Sequence, residues 1–266
     1  MHTCFSADSE ATVTSMLDAA VEKGLEGGCI TDHMDLDFPE TPDFPANAFQ
    51  FDLDEYFGQL NRLKEQYKGK LDLRIGVEIG LQKHLGEAYH RLTEAYPFDF
   101  VIGSVHLVGG QDPYYRKIFE GRTDEEVYRM AFREILENVE AVKDFDALGH
   151  LDYVVRYGIH QAAEYSYRKF SDEIDAVLKK LIAEGKGLEM NLAGIKYGLG
   201  FPNPHPDVLK RYRELGGEII TIGADAHEPA HVAYEFEKAT EILRECGFSY
   251  YAEFHGRKPV FQRIVP

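Results

Sequence analysis

The chain has 266 residues, and its 46 acidic side chains outnumber its 29 basic ones, which gives a formal net charge of −17. This charge argues against nucleic acid or an anionic membrane as a partner, because binding to either needs clustered lysine and arginine. No apolar run approaches the roughly 20 residues that span a bilayer, and the three cysteines lack a C-x-x-C pair, which indicates reduced thiols in a cytoplasmic protein.

Short apolar runs alternate with segments of helical spacing along the chain. The runs have the length and β-branched content of buried strands, and they lie at residues 28–31, 73–79, 98–105, 147–151, 187–192, 218–222 and 249–254. Amphipathic helices are predicted over 9–23, 124–142, 171–183 (with Ser171 as the N-cap) and 235–246. Three prolines in 38–47 predict a long surface loop. The alternation predicts one α/β domain over 1–266 with parallel strands, either as a barrel or as an open sheet.

Polar side chains stand at the carboxyl ends of six predicted strands. In chain order they are Asp32 with His33, Glu78, His106, His150, Asn191, and Asp225 with His227, and the start of the chain adds His2 and Asp8. The carboxyl ends of parallel barrel strands converge on one face, where the active sites of such folds are built. We therefore expect these side chains to lie close together.

A lone histidine at a strand end is usually structural, and a lone carboxylate usually caps the next helix. Four histidines and several carboxylates packed together without cations would suffer like-charge repulsion and leave polar atoms unpaired. Mixed imidazole and carboxylate donors suit Zn, Mn or Fe, so the pattern predicts a metal site. Surface or packing roles are expected for the other histidines, of which only His205 remains a candidate to overhang the site: His84, His90, His160, His205, His231 and His255.

These residues resemble the polymerase and histidinol phosphatase (PHP) superfamily of metal-dependent phosphoesterases, and most of all its histidinol-phosphate phosphatases. The matching segments occur in the family's order and cover nearly the whole chain: residues 2–9, 31–33, 76–78, 103–106, 149–152 with Arg156, 189–191 and 223–227. The resemblance implies a distorted, TIM-like (β/α)7 barrel that holds up to three divalent ions (Zn, Mn or Fe).

The resemblance also implies roles for single residues. Glu78 would bridge two metals, of which one is also held by His2 and Asp225 and the other by His106 and His150; Asp8, His33 and His227 would hold a third. Glu78, Asp225 and His227 would be catalytic. Arg156 and then Lys196 are the candidates for gripping phosphate, with a solvated surface charge as the alternative for each, and Asn191 is a further candidate on the substrate side.

The implied activity is hydrolysis of L-histidinol phosphate, a small phosphorylated substrate of histidine biosynthesis, by attack of a metal-bridging hydroxide. The alternative within enzymes is another phosphomonoester or phosphotyrosine. One departure from the family favours a third reading: the family's H-x-H motif ends a first strand, whereas Met1-His2-Thr3 holds one histidine without that strand. We expect either that the sequence begins several residues late, which we favour, or that the protein is a catalytically impaired metal-binding module. The sequence leaves the oligomeric state open.

Overall fold

The computed structural model describes residues 1–264. Its strands are β1 (Gly27–Ile30), β2 (His33–Met34), β3 (Asp72–Gly80), β4 (Phe100–Ser104), β5 (Ala147–Leu148), β6 (Gly187–Asn191), β7 (Ile220–Gly223), β8 (Tyr250–His255) and β9 (Lys258–Arg263). Its helices are α1 (Val13–Glu22), α2 (Leu53–Gln66), α3 (Gly86–Ala95), α4 (Asp124–Ala141), α5 (Ser171–Ala183), α6 (Ala193–Lys196), α7 (Pro206–Glu214) and α8 (Phe236–Glu245). Within residues 1–264, no helix combines the length and the apolar character needed to cross a bilayer.

Seven parallel strands form one curled sheet. Its order is β1-β3-β4-β5-β6-β7, and the short β2 continues beside β3, with His33 opposite Glu78. Every consecutive pair along this path is parallel, as βαβ connections require. The predicted α/β fold with parallel strands in a distorted barrel is therefore confirmed, and the barrel has the form of a curled, half-closed sheet.

The sheet stays open between its outer strands, and the first residues of the chain lie in this opening. The Met1 amino group donates to the Cys29 carbonyl (3.3 Å) and the Thr31 amide donates to the Met1 carbonyl (2.9 Å), which is the pattern of a parallel bridge to β1. The His2 amide donates to the Ala226 carbonyl just past β7 (2.8 Å). In the described part of the chain, no strand occupies the gap. This backbone pairing fixes His2 between the two edges.

The helices cover the outside of the sheet and bury their apolar faces against it. Helix α4 begins with a capping box, because the Thr123 hydroxyl accepts from the Glu126 amide while the Glu126 carboxylate accepts from the Thr123 amide. Its side chains Val127, Phe132 and Val139 are fully buried in the main core. Helix bounds match the predictions to within a few residues. The predicted cap of α5 is wrong: Phe170 occupies the N-cap position, because the preceding 3₁₀ turn leads straight into the helix and Ser171 is already helical.

The amino ends of the barrel strands are covered by a hairpin. Strand β8 confirms the run predicted at 249–254, but it pairs antiparallel with β9 and not with the parallel sheet. Phe254 of the hairpin stacks on Phe100 at the start of β4, with 4.8 Å between ring centroids, and Arg257 donates to the buried carboxylate of Asp146. With this end closed, the carboxyl ends of the strands form the accessible mouth.

The proline-containing segment is a loop, as predicted, and it has a small core of its own. Residues 38–47 contain neither helix nor strand. Phe38, Phe49 and Leu107 are buried together, with Phe44 packed against them, in a cluster that is separate from the main core. The loop therefore holds its shape against the segment that follows β4.

Candidate metal centre

The structure brings the side chains at the strand ends together at the mouth of the barrel. Glu78 lies within β3, and Asn191 is the last residue of β6. His106 and His150 each follow their strand by two residues, and Asp225 and His227 follow β7. The eight residues predicted to bind metal form one connected set: His2, Asp8, His33, Glu78, His106, His150, Asp225 and His227.

Glu78 lies at the centre of this set. Its Oε1 atom is 3.1 Å from Nε2 of His106 and 3.2 Å from Nε2 of His150, while its Oε2 atom is 3.5 Å from Nε2 of His2. Although burial opposes ionisation, the electrostatic interaction with the His33 imidazole and hydrogen bonds from His106 and His150 hold the pKa of Glu78 well below its usual range. An ionised carboxylate with imidazoles on both oxygens has the geometry of a bridging ligand.

His2 and Asp225 extend the set toward β7. Nε2 of His2 is 3.3 Å from Oδ1 of Asp225, and one ligand atom from each of His2, Glu78 and Asp225 can lie within 4.8 Å of the others. Burial, followed by the neighbouring imidazoles of His227 and His33, lowers the pKa of His2 to about 3. His2 is therefore a neutral imidazole at physiological pH, which is the form that binds metal.

The third group surrounds Asp8. Its Oδ2 atom is 3.2 Å from Nε2 of His227 and 3.7 Å from Nε2 of His33, and these two nitrogens are 3.4 Å apart. The His2 ring stacks on both the His33 and His227 rings, with 4.2 Å between centroids in each case. Burial opposes protonation of His227, but the hydrogen bond to Asp8 and the negative charges of Asp225 and Asp8 together outweigh burial and raise its pKa to about 9. Three imidazoles packed this closely carry mutual repulsion when charged.

The donor atoms fit divalent transition ions. Three overlapping sets present one ligand atom per residue within 4.8 Å: His2 with His33 and His227; His33 with Glu78 and His106; and His2 with Glu78 and Asp225. Nitrogen and carboxylate oxygen together are the ligands that zinc, manganese and iron accept. The observation that supports this fit is that several imidazole Nε2 atoms converge on one place. Neutral histidines cannot supply one another with hydrogen-bond partners for all of these nitrogens.

Arg156 reaches the cluster from the 3₁₀ turn Tyr153–Tyr157. Its guanidinium is sandwiched between the rings of Tyr153 (5.1 Å) and Tyr197 (4.9 Å), and its Nε atom donates to Oδ1 of Asn203 (2.8 Å). Its Nη1 atom donates to Asp225, whereas its buried Nη2 atom has no hydrogen-bond partner among residues 1–264. Arg156 is therefore a rigid, buried cation beside the cluster, and its Nη2 donor is free within the described chain.

The other two residues predicted to contact substrate differ in their surroundings. Lys196 Nζ lies 3.4 Å from the Asp225 carbonyl and over the Tyr197 ring, and burial lowers its pKa. It lines a cavity of about 580 Å³ beside His227. Asn191 points into the protein, where its amide donates to Glu189 (3.1 Å) and its Oδ1 accepts from the Ala193 amide (3.0 Å). Lys196 thus lies at the cavity, whereas the Asn191 side chain is buried among its protein partners.

Three polar contacts of the site are not predicted from the sequence. Asp35 contacts His106, Asn203 contacts Arg156, and Glu189 accepts from the His150 amide. Asp35 lies two residues beyond His33, so strand alternation could have placed both side chains on one face. Asn203 carries no such signal, because its position depends on a loop that folds back over β6.

Comparison with known proteins places this cluster in a family. Residues 1–193 match the PHP domain family. The chain is 33% identical over 261 residues to a probable histidinol-phosphatase of Clostridium acetobutylicum (98% of this chain, 94% of that protein) and 32% identical over 268 residues to a histidinol-phosphatase of Lactococcus lactis (97% and 93%).

A crystal structure of histidinol phosphate phosphatase from Lactococcus lactis, complexed with zinc, L-histidinol and phosphate, has the same fold. Its TM-score to this structure is 0.84 at 30% sequence identity, and the match covers 98% of this chain and 97% of that one. The similarity therefore includes both the barrel and the segments that carry the cluster. The chain belongs to the PHP domain family.

Proposed function

We propose that this protein is a metal-dependent phosphomonoesterase that hydrolyses L-histidinol phosphate to L-histidinol and phosphate. The observation that carries the proposal is the position of the Glu78 carboxylate, which is shared by His106, His150 and His2. The relatives named histidinol-phosphatase, and the bound L-histidinol and phosphate in the Lactococcus structure, support the choice of substrate.

Up to three divalent ions would be held by the residues of the cluster. Glu78 would bridge two of them, one with His2 and Asp225 and one with His106 and His150, while Asp8, His33 and His227 would hold the third. The zinc in the Lactococcus structure supports zinc, and the donor set accommodates manganese or iron equally well. Such ions supply an acidified water and neutralise the charge that develops on a phosphoryl group.

The side chains around the cluster would bind and orient the substrate. Arg156 is held by Asn203 and Asp225, so its unpartnered Nη2 is fixed beside the cluster, where it would donate to a phosphate oxygen. Lys196 adds a second cation at the edge of the cavity beside His227. These two cations offset the repulsion between a dianionic phosphate and a chain of net charge −17. The cavity would take the leaving alcohol.

The proposed reaction belongs in the cytoplasm. Cys4, Cys29 and Cys246 are free thiols in the structure, which is the state that a reducing compartment maintains. Histidine biosynthesis would supply the substrate there.

A comparison of substrates tests this proposal. Zinc-loaded protein is assayed with L-histidinol phosphate, phosphotyrosine and an aryl phosphate, and bound metal is measured by elemental analysis. We expect the highest kcat/KM for L-histidinol phosphate and at least two ions per chain. A preference for phosphotyrosine would identify a different phosphomonoesterase, and bound metal without turnover of any substrate would identify a catalytically impaired metal-binding module.

A further inference from the structure

A buried carboxylate lies behind one of the imidazoles of the cluster. Oδ2 of Asp35 is 2.6 Å from Nδ1 of His106, on the side of the ring opposite to Glu78, and Nε2 of His106 is 3.1 Å from Oε1 of Glu78. Asp35 is only 4% exposed. Its second oxygen, Oδ1, is buried without a hydrogen-bond partner in residues 1–264. Among the described residues, the Asp35 carboxylate therefore has its side-chain hydrogen bond with His106.

The pairing of β2 with β3 and the space at Gly80 hold this carboxylate in place. Strand β2 pairs with β3 so that Met34 lies opposite Ile79, which brings Asp35 beside Gly80. A Cβ atom on Gly80 would lie 2.5 Å from Cγ of Asp35, so only glycine leaves room for the side chain. The Asp35 amide donates to the Phe49 carbonyl (2.9 Å), which ties its backbone to the loop cluster.

We propose that Asp35 is a positioning residue for the metal centre. It accepts the Nδ1 proton of His106 and fixes the ring orientation, so that Nε2, on the Glu78 side of the ring, would give its lone pair to a cation bound there. A carboxylate behind a ligating imidazole also makes the ring a stronger donor to a cation. The inference rests on the proposed metal role of His106.

Three other imidazoles of the cluster lack so close a carboxylate at Nδ1. Nδ1 of His2 and Nδ1 of His33 are buried without partners in the described residues, and Nδ1 of His227 is 3.1 Å from the Asp225 backbone carbonyl, with the Asp225 carboxylate oxygen Oδ1 farther away at 3.7 Å. The carboxylate behind His106 therefore distinguishes the Glu78–His106–His150 position from the position that contains His2.

The Asp35→Asn variant tests the inference, because it keeps the shape of the side chain and removes its charge. Zinc affinity is measured by competition with a chromophoric chelator, and kcat and KM are measured on L-histidinol phosphate. We expect one zinc per chain to bind roughly 10- to 100-fold more weakly, with a lower kcat at subsaturating zinc and an unchanged KM. Zinc affinity equal to that of the unaltered protein would overturn the inference.

The matched control is Asp146→Asn, which neutralises another buried carboxylate at the closed end of the barrel, where Asp146 accepts from Arg257 and the Val101 amide. This control is expected to leave zinc affinity unchanged even if it lowers the melting temperature. Nitrogen NMR of the imidazole rings in the unaltered zinc-loaded protein gives a readout that does not depend on how a variant folds. It should report a proton on Nδ1 of His106, and a proton on Nε2 instead would refute the proposed role.

A third variant separates this inference from the proposed function. If His106→Ala retains every zinc, the metal role of His106 is wrong and the proposed function loses its main support. If His106→Ala loses one zinc while Asp35→Asn binds zinc normally, only the positioning role of Asp35 fails.

Discussion

Nη1 of Arg156 lies 3.3 Å from Oδ2 of Asp225, and both side chains are largely buried. The other oxygen of Asp225 is 3.3 Å from Nε2 of His2, so one carboxylate joins the arginine to the cluster. Removing one partner of a buried pair leaves an uncompensated charge and costs about 3–5 kcal/mol. Substitutions that keep the charge are therefore the informative ones at this site.

Arg156→Lys is expected to weaken phosphate binding. Lysine keeps a positive charge opposite Asp225 but lacks the planar guanidinium that can hold Asn203 and Asp225 while its Nη2 donates to a phosphate oxygen. KM for L-histidinol phosphate and the inhibition constant for inorganic phosphate should both rise at least tenfold, as steady-state kinetics would reveal. Arg211→Lys, in a surface pair with Asp175, is the matched control and should change neither constant. An unchanged inhibition constant for phosphate in the Arg156→Lys variant would show that Arg156 does not bind the phosphate group.

Glu78→Gln is expected to remove activity by several orders of magnitude and to lower the metal content. The amide keeps the size of the side chain but loses the charge that the imidazoles and cations share. Metal per chain is measured by elemental analysis alongside kcat/KM. Glu173→Gln, in a half-buried pair with Arg129 on the outer helices, serves as the control. If Glu78→Gln retained normal turnover, the bridging role would be wrong.

Chelation is expected to destabilise the protein as well as inactivate it. Without cations, the stacked imidazoles of His2, His33 and His227 and the carboxylates around them face one another directly. Zinc at about 100 times its Kd adds roughly 2.7 kcal/mol, which corresponds to a rise in Tm of roughly 5–10 °C for a chain of this size. Calorimetry with and without chelator, followed by zinc addition, measures this shift. A Tm indifferent to both treatments contradicts a metal centre.

A pH-dependent contribution to stability is expected far from the site. The hydrogen bond from Arg211 lowers the pKa of Asp175 to about 2, against roughly 3.9 in an unfolded chain. Because the folded pKa is the lower one, the contribution is complete above about pH 4 and is lost as the pH falls through about 2. Asp175→Asn should therefore destabilise the protein by about 1 kcal/mol or less at pH 7.

Urea unfolding of both proteins at pH 7 and pH 3 checks this expectation. The difference between Asp175→Asn and the unaltered protein should shrink at pH 3. Effects of acid on the metal centre are common to both proteins and cancel in the difference. A difference that stays constant or grows toward low pH would show that the Arg211 hydrogen bond does not set the titration of Asp175.

The barrel strands and the cluster could be predicted from the sequence because both follow a local pattern. An apolar run that ends in His, Asp, Glu or Asn can be recognised without knowing which strands lie beside it. Strands β3 and β6 lie where the apolar runs of the sequence predicted them. Helix α2 was not predicted. Its buried stripe consists of Tyr56, Phe57, Leu60 and Leu63, and the charged residues between them hide the helical spacing of the apolar side chains. Strand β9 is mostly exposed and carries no apolar alternation.

Contacts made by tertiary folding could not be predicted in the same way. The pairing of Asp35 with His106 joins residues 71 apart in the chain, and it depends on the register of β2 against β3 and on the absence of a side chain at Gly80. The contact of Arg156 with Asn203 depends on a loop that returns over β6. Neither residue type nor spacing encodes these distances.

The Phe38–Phe49–Leu107 cluster gives the centre a weak point that the barrel does not share. Phe49 of the cluster accepts a hydrogen bond from the Asp35 amide, and Leu107 of the cluster directly follows His106 in the chain. The cluster nevertheless consists of only a few side chains and is separate from the main core. Small cooperative units open at lower free energy than the whole domain. On gradual warming, an ion held beside His106 should accordingly be released while the sheet and its helices are still intact, so loss of activity would precede melting.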